Sequence, residues 1–204
     1  MTTLVAPADT LAESQRLMTA LEHLNSELPF ASTILAVHQP THHELQQTHE
    51  RSERAVNLWR AALAHRWECE VAGRRLYKRL LRQMIEHYGS EHAPAIQLIS
   101  RSGAEANSSP TELLADLRRL NAALKVGETP LFGTEPQAEV EQHCTALDRA
   151  IQAANTYETE RRNAVLEHRM AREAYRRVRT DIHRQLEAHY GERFPAALSE
   201  VFSE

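Results

Sequence analysis

The sequence predicts an all-α protein, and three features of its 204 residues lead to that prediction. Apolar residues recur at helical spacing over long stretches that hold very little proline or glycine. Aromatic residues make up only 5% of the chain, whereas the strong helix formers Ala, Leu, Glu and Arg are plentiful. The C-terminal half also repeats the pattern of the N-terminal half. We therefore expect an elongated helical bundle built by tandem duplication of a short-helix/long-helix hairpin.

The internal repeat is clearest towards the end of each half. Residues 74–89 return 102 positions later, as residues 176–191. Further upstream, Arg54 returns as Arg149, an offset of 95 positions, so the two offsets differ by one heptad. An insertion of one heptad keeps every buried position on the same face of a helix, and a packed helix can accommodate it. The repeat therefore predicts architecture and carries little information about chemistry.

The predicted organisation is a first hairpin repeat at residues 1–100, a linker at residues 101–109 and a second hairpin repeat at residues 110–204, together forming one structural body. Helix starts are indicated by Ser, Thr or Asp before an apolar run, and helix ends by a following Gly. On these signals we expect helices from Asp9 to Leu28, from Thr41 to Tyr88, from Ala93 to Ile99, from Pro110 to Leu124, from Pro136 to Tyr190 and from Pro195 to Phe202, with a loop over residues 29–40.

Composition favours a cytoplasmic protein without a cofactor. The N-terminal residues lack the basic region and the apolar run of a secretory signal, and no stretch has the ~20 apolar residues that span a bilayer. Cys69 and Cys144 form no paired-cysteine motif, and we expect both to be reduced thiols. The net charge of −4 gives no general attraction to nucleic acid or to a membrane.

Histidine is abundant, with twelve residues, and some of them have metal-ligand spacing. His42, His49 and Glu53 lie on one helical stripe, while His65 and Cys69 are four residues apart. Both sets are candidate metal ligands. The alternative interpretation is structural: His42 and His43 would be solvated residues in the first helical turn, and Cys69 a core thiol. The sequence lacks the matched Glu-x-x-His pairs of di-iron bundles, which favours the structural interpretation.

Arginine is concentrated in the C-terminal parts of both long helices. If these two helices ran parallel, the two clusters would meet and form a surface for a polyanion, either nucleic acid or polyphosphate. The alternative is a pair of solvated Arg/Glu faces. The candidate polyanion-binding residues are Arg74, Arg75, Arg79, Arg169, Arg172, Arg176 and Arg177.

The sequence shows no catalytic motif: a phosphate-binding loop, a nucleophile elbow and a paired-carboxylate site are all missing. We therefore expect that the protein is not an enzyme. We expect a non-enzymatic scaffold or protein-interaction protein with coiled-coil-like helices, from the cytoplasm of a bacterium. Its partner would be another protein or a second copy of the chain, because the short helices cannot cover the full apolar faces of long helices of about 70 Å. The alternatives are a polyanion-binding module and a metal-binding helical bundle.

Overall fold

Five helices make up the part of the chain that the computed structural model describes, which comprises residues 7–24, 30–99, 109–125, 132–191, 195, 198, 201 and 202. They are α1 (Pro7–His23), α2 (Ala31–Tyr88), α3 (Pro94–Ile99), α4 (Pro110–Leu124) and α5 (Thr134–Tyr190). No strand occurs among these residues, which confirms the all-α prediction. None of the described helices is long and apolar enough to cross a membrane.

The first long helix begins ten residues earlier than predicted, because Pro40 lies inside it. A proline in a helix removes one backbone hydrogen bond and crowds the preceding turn, at a cost of about 3 kcal/mol, so the expected loop over residues 29–40 was the simpler interpretation. Ile34 and Leu35 before Pro40, and Leu45 after it, are buried. Their burial on both sides of the proline offsets its cost, and the expected loop was therefore wrong from Ala31 onward.

Helix α1 ends at His23, and its predicted end, Leu28, lies outside the described residues; the other predicted boundaries hold closely where the structure describes them. Ser109 caps α4, and a reciprocal capping box joins its side chain to Glu112. Gly89 and Gly191 follow the two long helices with positive φ angles of 75° and 62°, a conformation that favours glycine. The predicted linker lies outside the described residues except for Ser109, and of the predicted terminal helix only residues 195, 198, 201 and 202 are described.

The chain forms two compact units, with a boundary after Val56 in α2 and another after Thr159 in α5. Unit 1 contains α1, the first part of α2 and the last part of α5. There the two long-helix segments run antiparallel, since His38 lies beside Tyr175 and Thr48 beside His168. The apolar core of unit 1 is formed by Leu17, Ala20, Leu21, Leu24, Ala31, Ile34, Leu35, Ile182, Leu186, Leu198 and Val201.

Unit 2 contains the last part of α2, then α3 and α4, and the first part of α5. Helix α4 contributes five leucines to its core, and the periodicity of these leucines was already visible in the sequence. The remaining core residues come from the other elements of the unit. They are Leu76, Tyr77, Leu80, Leu81, Met84, Ile96, Ile99, Val140 and Leu147.

Candidate functional site

A group of polar side chains is buried inside unit 1, at positions where apolar residues are the rule. Ser14 of α1 and His38 of α2 are both completely buried. The Ser14 hydroxyl lies 2.9 Å from Nδ1 of His42 and 3.4 Å from Nε2 of His38. The ring of Tyr175, also completely buried, meets the His38 ring edge-on with 5.9 Å between centroids. We call Ser14, His38, His42 and Tyr175 the histidine cluster.

Burial decides the protonation state of the histidine cluster. Desolvation, with a smaller contribution from the neighbouring His42, lowers the pKa of His38 from 6.5 to about 4. Desolvation also lowers the pKa of His42, with a smaller contribution from His43. Burial raises the pKa of Tyr175 well above its usual value. The cluster is therefore held neutral at pH 7, and the Ser14 hydroxyl forms hydrogen bonds with both imidazoles, whereas His38 Nδ1 and the Tyr175 hydroxyl are buried without a hydrogen-bond partner among the described residues.

A second buried histidine lies in the same unit, on α5. Nδ1 of His168 is 3.3 Å from the Thr48 hydroxyl of α2, and the His168 ring is 5.2 Å from that of His49. Desolvation, followed by the charges of His49 and Arg172, lowers the pKa of His168. Next to this pair, Arg51 and Glu167 form an exposed ion pair of 2.7 Å. The polar contacts between α2 and α5 in unit 1 thus combine an exposed ion pair with a buried imidazole that is held in its neutral form.

The histidine cluster was not predicted from the sequence. His42 was expected as a solvated residue in a first helical turn, which is wrong: His42 lies well inside α2 and is 7% exposed. His43, by contrast, is exposed as expected. The error follows from the misplaced start of α2. Once Pro40 is allowed within the helix, His38, His42, Leu45 and His49 form one stripe at helical spacing, and that stripe was the available signal.

The candidate metal ligands do not converge. His42 faces Ser14, whereas His49 lies 3.6 Å from Glu53 on its own helix. His65 lies 3.9 Å from the Cys69 sulfur and 3.8 Å from Glu68, again within one helix. Within the described ranges, no group of three or more His, Cys, Asp or Glu side chains is arranged to hold a metal ion.

The candidate arginines fall into different units, three in unit 2 and four in unit 1. Several of them have a carboxylate partner: Arg74 with Glu70, Arg79 with Glu139 and Arg169 with Glu173. Arg75, Arg176 and Arg177 are exposed. Arg172 was expected on the solvent side, but it is half-buried, and desolvation lowers its pKa.

A shallow polar groove of about 530 Å³ runs between α4 and α5 in unit 2. Two ion pairs join the helices there, Arg118–Asp148 at 3.1 Å and Lys125–Glu141 at 2.7 Å. Cys144 lines this groove, and burial raises the pKa of its thiol. Burial also raises the pKa of the Cys69 thiol on α2, which is outside the groove. Both cysteines are free, as the sequence suggested. A raised pKa keeps a thiol protonated and weakly nucleophilic at neutral pH.

Large apolar side chains are exposed on both long helices. In unit 2, Trp67 of α2 is 63% exposed. In unit 1, Leu166 and Met170 of α5 are 56% and 63% exposed and lie one turn apart. These residues stand in the middle of long helices, where the neighbouring elements leave much of the surface open.

Comparison of the chain with protein-family models, with curated proteins and with solved structures finds no match.

Proposed function

We propose that this protein is a non-enzymatic helical scaffold that binds another protein, or a second copy of itself, through apolar side chains exposed on its long helices. The observation that carries the proposal is the 63% exposure of Trp67 in the middle of α2. Tryptophan is enriched among the residues that dominate the binding energy of protein interfaces. An exposed tryptophan on a regular helix fits an interface better than it fits a solvated face.

The surroundings of Trp67 support the same conclusion. Leu63 and Val71 are half-buried and lie one turn before and one turn after it, and Ala64 beside them is exposed. We call Leu63, Ala64, Trp67 and Val71 the tryptophan stripe. Between Ala55 and Gly73 no residue of α2 is fully buried, although this segment lies in the middle of a 58-residue helix. A partner helix that covered the tryptophan stripe would complete the packing of this segment.

Unit 1 offers a second surface of the same kind. Leu166, Met170 and Ala174 follow one another at intervals of one turn on α5, and all three are exposed. The unbranched thioether side chain of methionine adapts to partners of different shape. Each unit thus supplies one exposed apolar stripe on a long helix, which is what a scaffold with more than one contact surface requires.

The chemistry of the described residues favours binding over catalysis. Four of the charged groups beside the α4–α5 groove are joined in two ion pairs, and the thiol of Cys144 in the groove has a raised pKa. The Ser14–His42 pair resembles a nucleophile and its base, but Ser14 is completely buried and no substrate can reach it. We also assign the protein to the cytoplasm, because both cysteines are free thiols.

Tandem duplication remains part of the proposal. Each unit combines segments of both long helices with a shorter helix that packs on them, α1 in unit 1 and α4 in unit 2, and unit 2 also contains α3. Gly73 and Tyr175 stand 102 positions apart, and each faces the short helix of its unit: Gly73 faces Leu117 of α4, and Tyr175 interacts with Ser14 of α1. Equivalent positions with equivalent neighbours are expected if one hairpin was copied.

The experiment that tests the function is sedimentation velocity of the wild type and of Trp67→Ser over the micromolar range. We expect the wild type to form a dimer or a larger species and Trp67→Ser to shift the equilibrium towards the monomer. Because Trp67 is exposed, the helicity measured by circular dichroism should be the same in both proteins. Leu98→Ser is the matched control, since Leu98 is 77% exposed in the same unit but lies on α3. A monomeric wild type would exclude self-association. In that case the two proteins are compared as baits in a cell extract, and equal recovery of bound proteins by wild type and Trp67→Ser would refute the tryptophan stripe as an interface.

The polyanion alternative is supported by Arg176 and Arg177, which are exposed side by side on α5. Replacing both by Ala would remove any retention on a heparin column and would lower the salt dependence of binding, because each lost phosphate contact reduces the log–log slope by nearly one unit. Wild-type protein that is not retained at low salt would eliminate this alternative.

A further inference from the structure

Helix α1 packs on the rest of unit 1 through apolar contacts near its two ends and a polar contact between them. Leu11 packs against the cluster of Leu45, Ala171 and Tyr175, and Leu17 and Leu21 pack in the main core of the unit. Between these contacts, Ser14 of α1 meets His38 and His42 of α2. The attachment of α1 therefore includes the most strongly perturbed histidine of the described part of the chain.

The Ser14 contact requires neutral imidazoles. A hydroxyl group has one proton to donate and lone pairs to accept with, so Ser14 can donate to one neutral ring nitrogen and accept from another. A protonated histidine has only donors. Protonation of both rings would leave the Ser14 proton without its histidine acceptor and would place two cations in rings whose centroids are 6.2 Å apart.

The charged groups around the histidine cluster do not favour a cation there. On α1, Glu13 forms an ion pair with Arg179 of α5, and Arg16 also acts on Tyr175. On α2, His43 acts on His42 and disfavours its protonation. On α5, Arg179 adds positive charge, and it donates to the Val201 carbonyl of the C-terminal segment. The carboxylate that acts on Tyr175 is thus already neutralised by an arginine.

We infer that α1 is an acid-released helix: protonation of His38 and His42 detaches it from α2 and α5 in unit 1, while α4 of unit 2 keeps its packing. Unit 2 supplies the contrast, because α4 is held by leucines and by the Arg118–Asp148 ion pair with α5, with no buried histidine in the described part of that unit. Release of α1 uncovers the apolar surfaces of Ile34 and Leu186, so the device regulates which surface unit 1 presents. It does not depend on the proposed scaffold function.

The expected size of the pH effect on the opening of α1 follows from the pKa of His38. Its pKa is about 4 in the closed state and returns to 6.5 when α1 opens and water reaches the ring. The open state therefore binds more protons as the pH falls below about 6.5. At about pH 5 this difference favours the open state by roughly 20-fold relative to pH 7 and by roughly 30-fold relative to pH 7.5, and His42 adds to it.

The test is residue-resolved amide hydrogen exchange of the full chain between about pH 7.5 and 5, corrected for intrinsic exchange rates. We expect the protection of α1 amides to fall by roughly 30-fold or more, while α4 amides keep theirs. His38→Gln should remove most of the decrease in α1. His43→Gln, an exposed histidine on the same helix, and His168→Gln, which does not touch α1, should leave the decrease intact.

Three results would overturn the inference. Protection that is constant in α1, or that falls equally in α1 and α4, would show that no separate release occurs. A His38 side-chain resonance that titrates at its ordinary pKa in wild-type protein would contradict the neutral cluster, and this measurement needs no variant to fold. Retention of the full decrease in a folded His38→Gln protein would assign the effect to other groups.

Discussion

Gly73 of α2 lies directly against Leu117 of α4 in unit 2: a β-carbon placed on Gly73 would stand 3.2 Å from Cδ1 of Leu117 and 3.6 Å from Cδ2 of Leu113. Gly73 lies in a regular helix and does not have a positive φ angle, so its backbone conformation does not require glycine. The close approach of α4 is what distinguishes this position. The glycine lets the leucine side chains of α4 contact the backbone of α2. Unit 2 is therefore sensitive to side-chain size at residue 73.

The effect of substituting Gly73 on stability should depend on the size of the new side chain. Gly73→Ala should be close to neutral, because the strain against the flexible end of Leu117 offsets a gain in helix propensity of about 1 kcal/mol. Gly73→Leu should destabilise the protein by about 1–3 kcal/mol, since its extra atoms must displace Leu113 and Leu117. Urea unfolding followed by circular dichroism measures both values. Ala61→Leu, at an exposed position of the same helix outside the tryptophan stripe, is the control and should change stability by less than about 0.5 kcal/mol.

The helices themselves could be predicted from the sequence because their signals are local. The apolar spacing of α4 and its Ser109–Glu112 cap depend on residues within a few turns, and so do the glycines that follow α2 and α5. The start of α2 could not be predicted in this way. Pro40 disfavours a helix locally, and only packing against the remainder of unit 1 outweighs that preference.

The histidine cluster depends on information that no local pattern contains. Ser14 and Tyr175 are far apart in the sequence, and they meet because α1, α2 and α5 pack together in unit 1. The antiparallel direction of α2 and α5 in that unit is likewise a tertiary property. The arginine clusters could be identified from the sequence because arginine is exposed by default. The partial burial of Arg172 could not, because it depends on tertiary packing.

Tyr175 should give the protein a measurable loss of stability in alkali. Burial raises the pKa of this phenol, and Glu13 raises it further. A group with a raised folded-state pKa stabilises the fold fully below its unfolded pKa of about 10 and less as the pH rises above that value. Tyr175→Phe should change stability by less than about 1 kcal/mol at pH 7, because its buried hydroxyl has no hydrogen-bond partner among the described residues, and should flatten the decline in stability above about pH 10.

The alkaline effect can be isolated by comparison with another tyrosine. Denaturant midpoints of wild type, Tyr175→Phe and Tyr88→Phe are measured between about pH 7 and 11, since Tyr88 is 40% exposed at the end of α2. Tyr88→Phe should follow the wild-type curve throughout. Parallel curves for wild type and Tyr175→Phe would mean that the Tyr175 phenol is not held in its neutral form by burial.

Two adjacent arginines of α4 have very different environments. Arg119 pairs with Asp116, whose carboxylate is almost completely buried, and its Nε donates to the Ile99 carbonyl of α3 at 3.4 Å. Arg118 pairs with the more exposed Asp148 of α5. A buried carboxylate that loses its cation remains desolvated without compensation, whereas an exposed carboxylate is hydrated by water. The two arginines are therefore a matched pair for measuring the effect of burial on one kind of interaction.

We expect Arg119→Ala to destabilise the protein by about 3 kcal/mol and Arg118→Ala by less than about 1 kcal/mol. Adding Asp116→Asn to Arg119→Ala should restore part of the loss, because the buried group then carries no charge. Urea unfolding at neutral pH measures the four proteins, and hydrogen exchange in α3 reports whether the Ile99 contact is lost as well. Equal costs for the two single substitutions would show that Asp116 is hydrated in the folded protein, and failure of Asp116→Asn to restore any stability would assign the loss to the Ile99 contact instead.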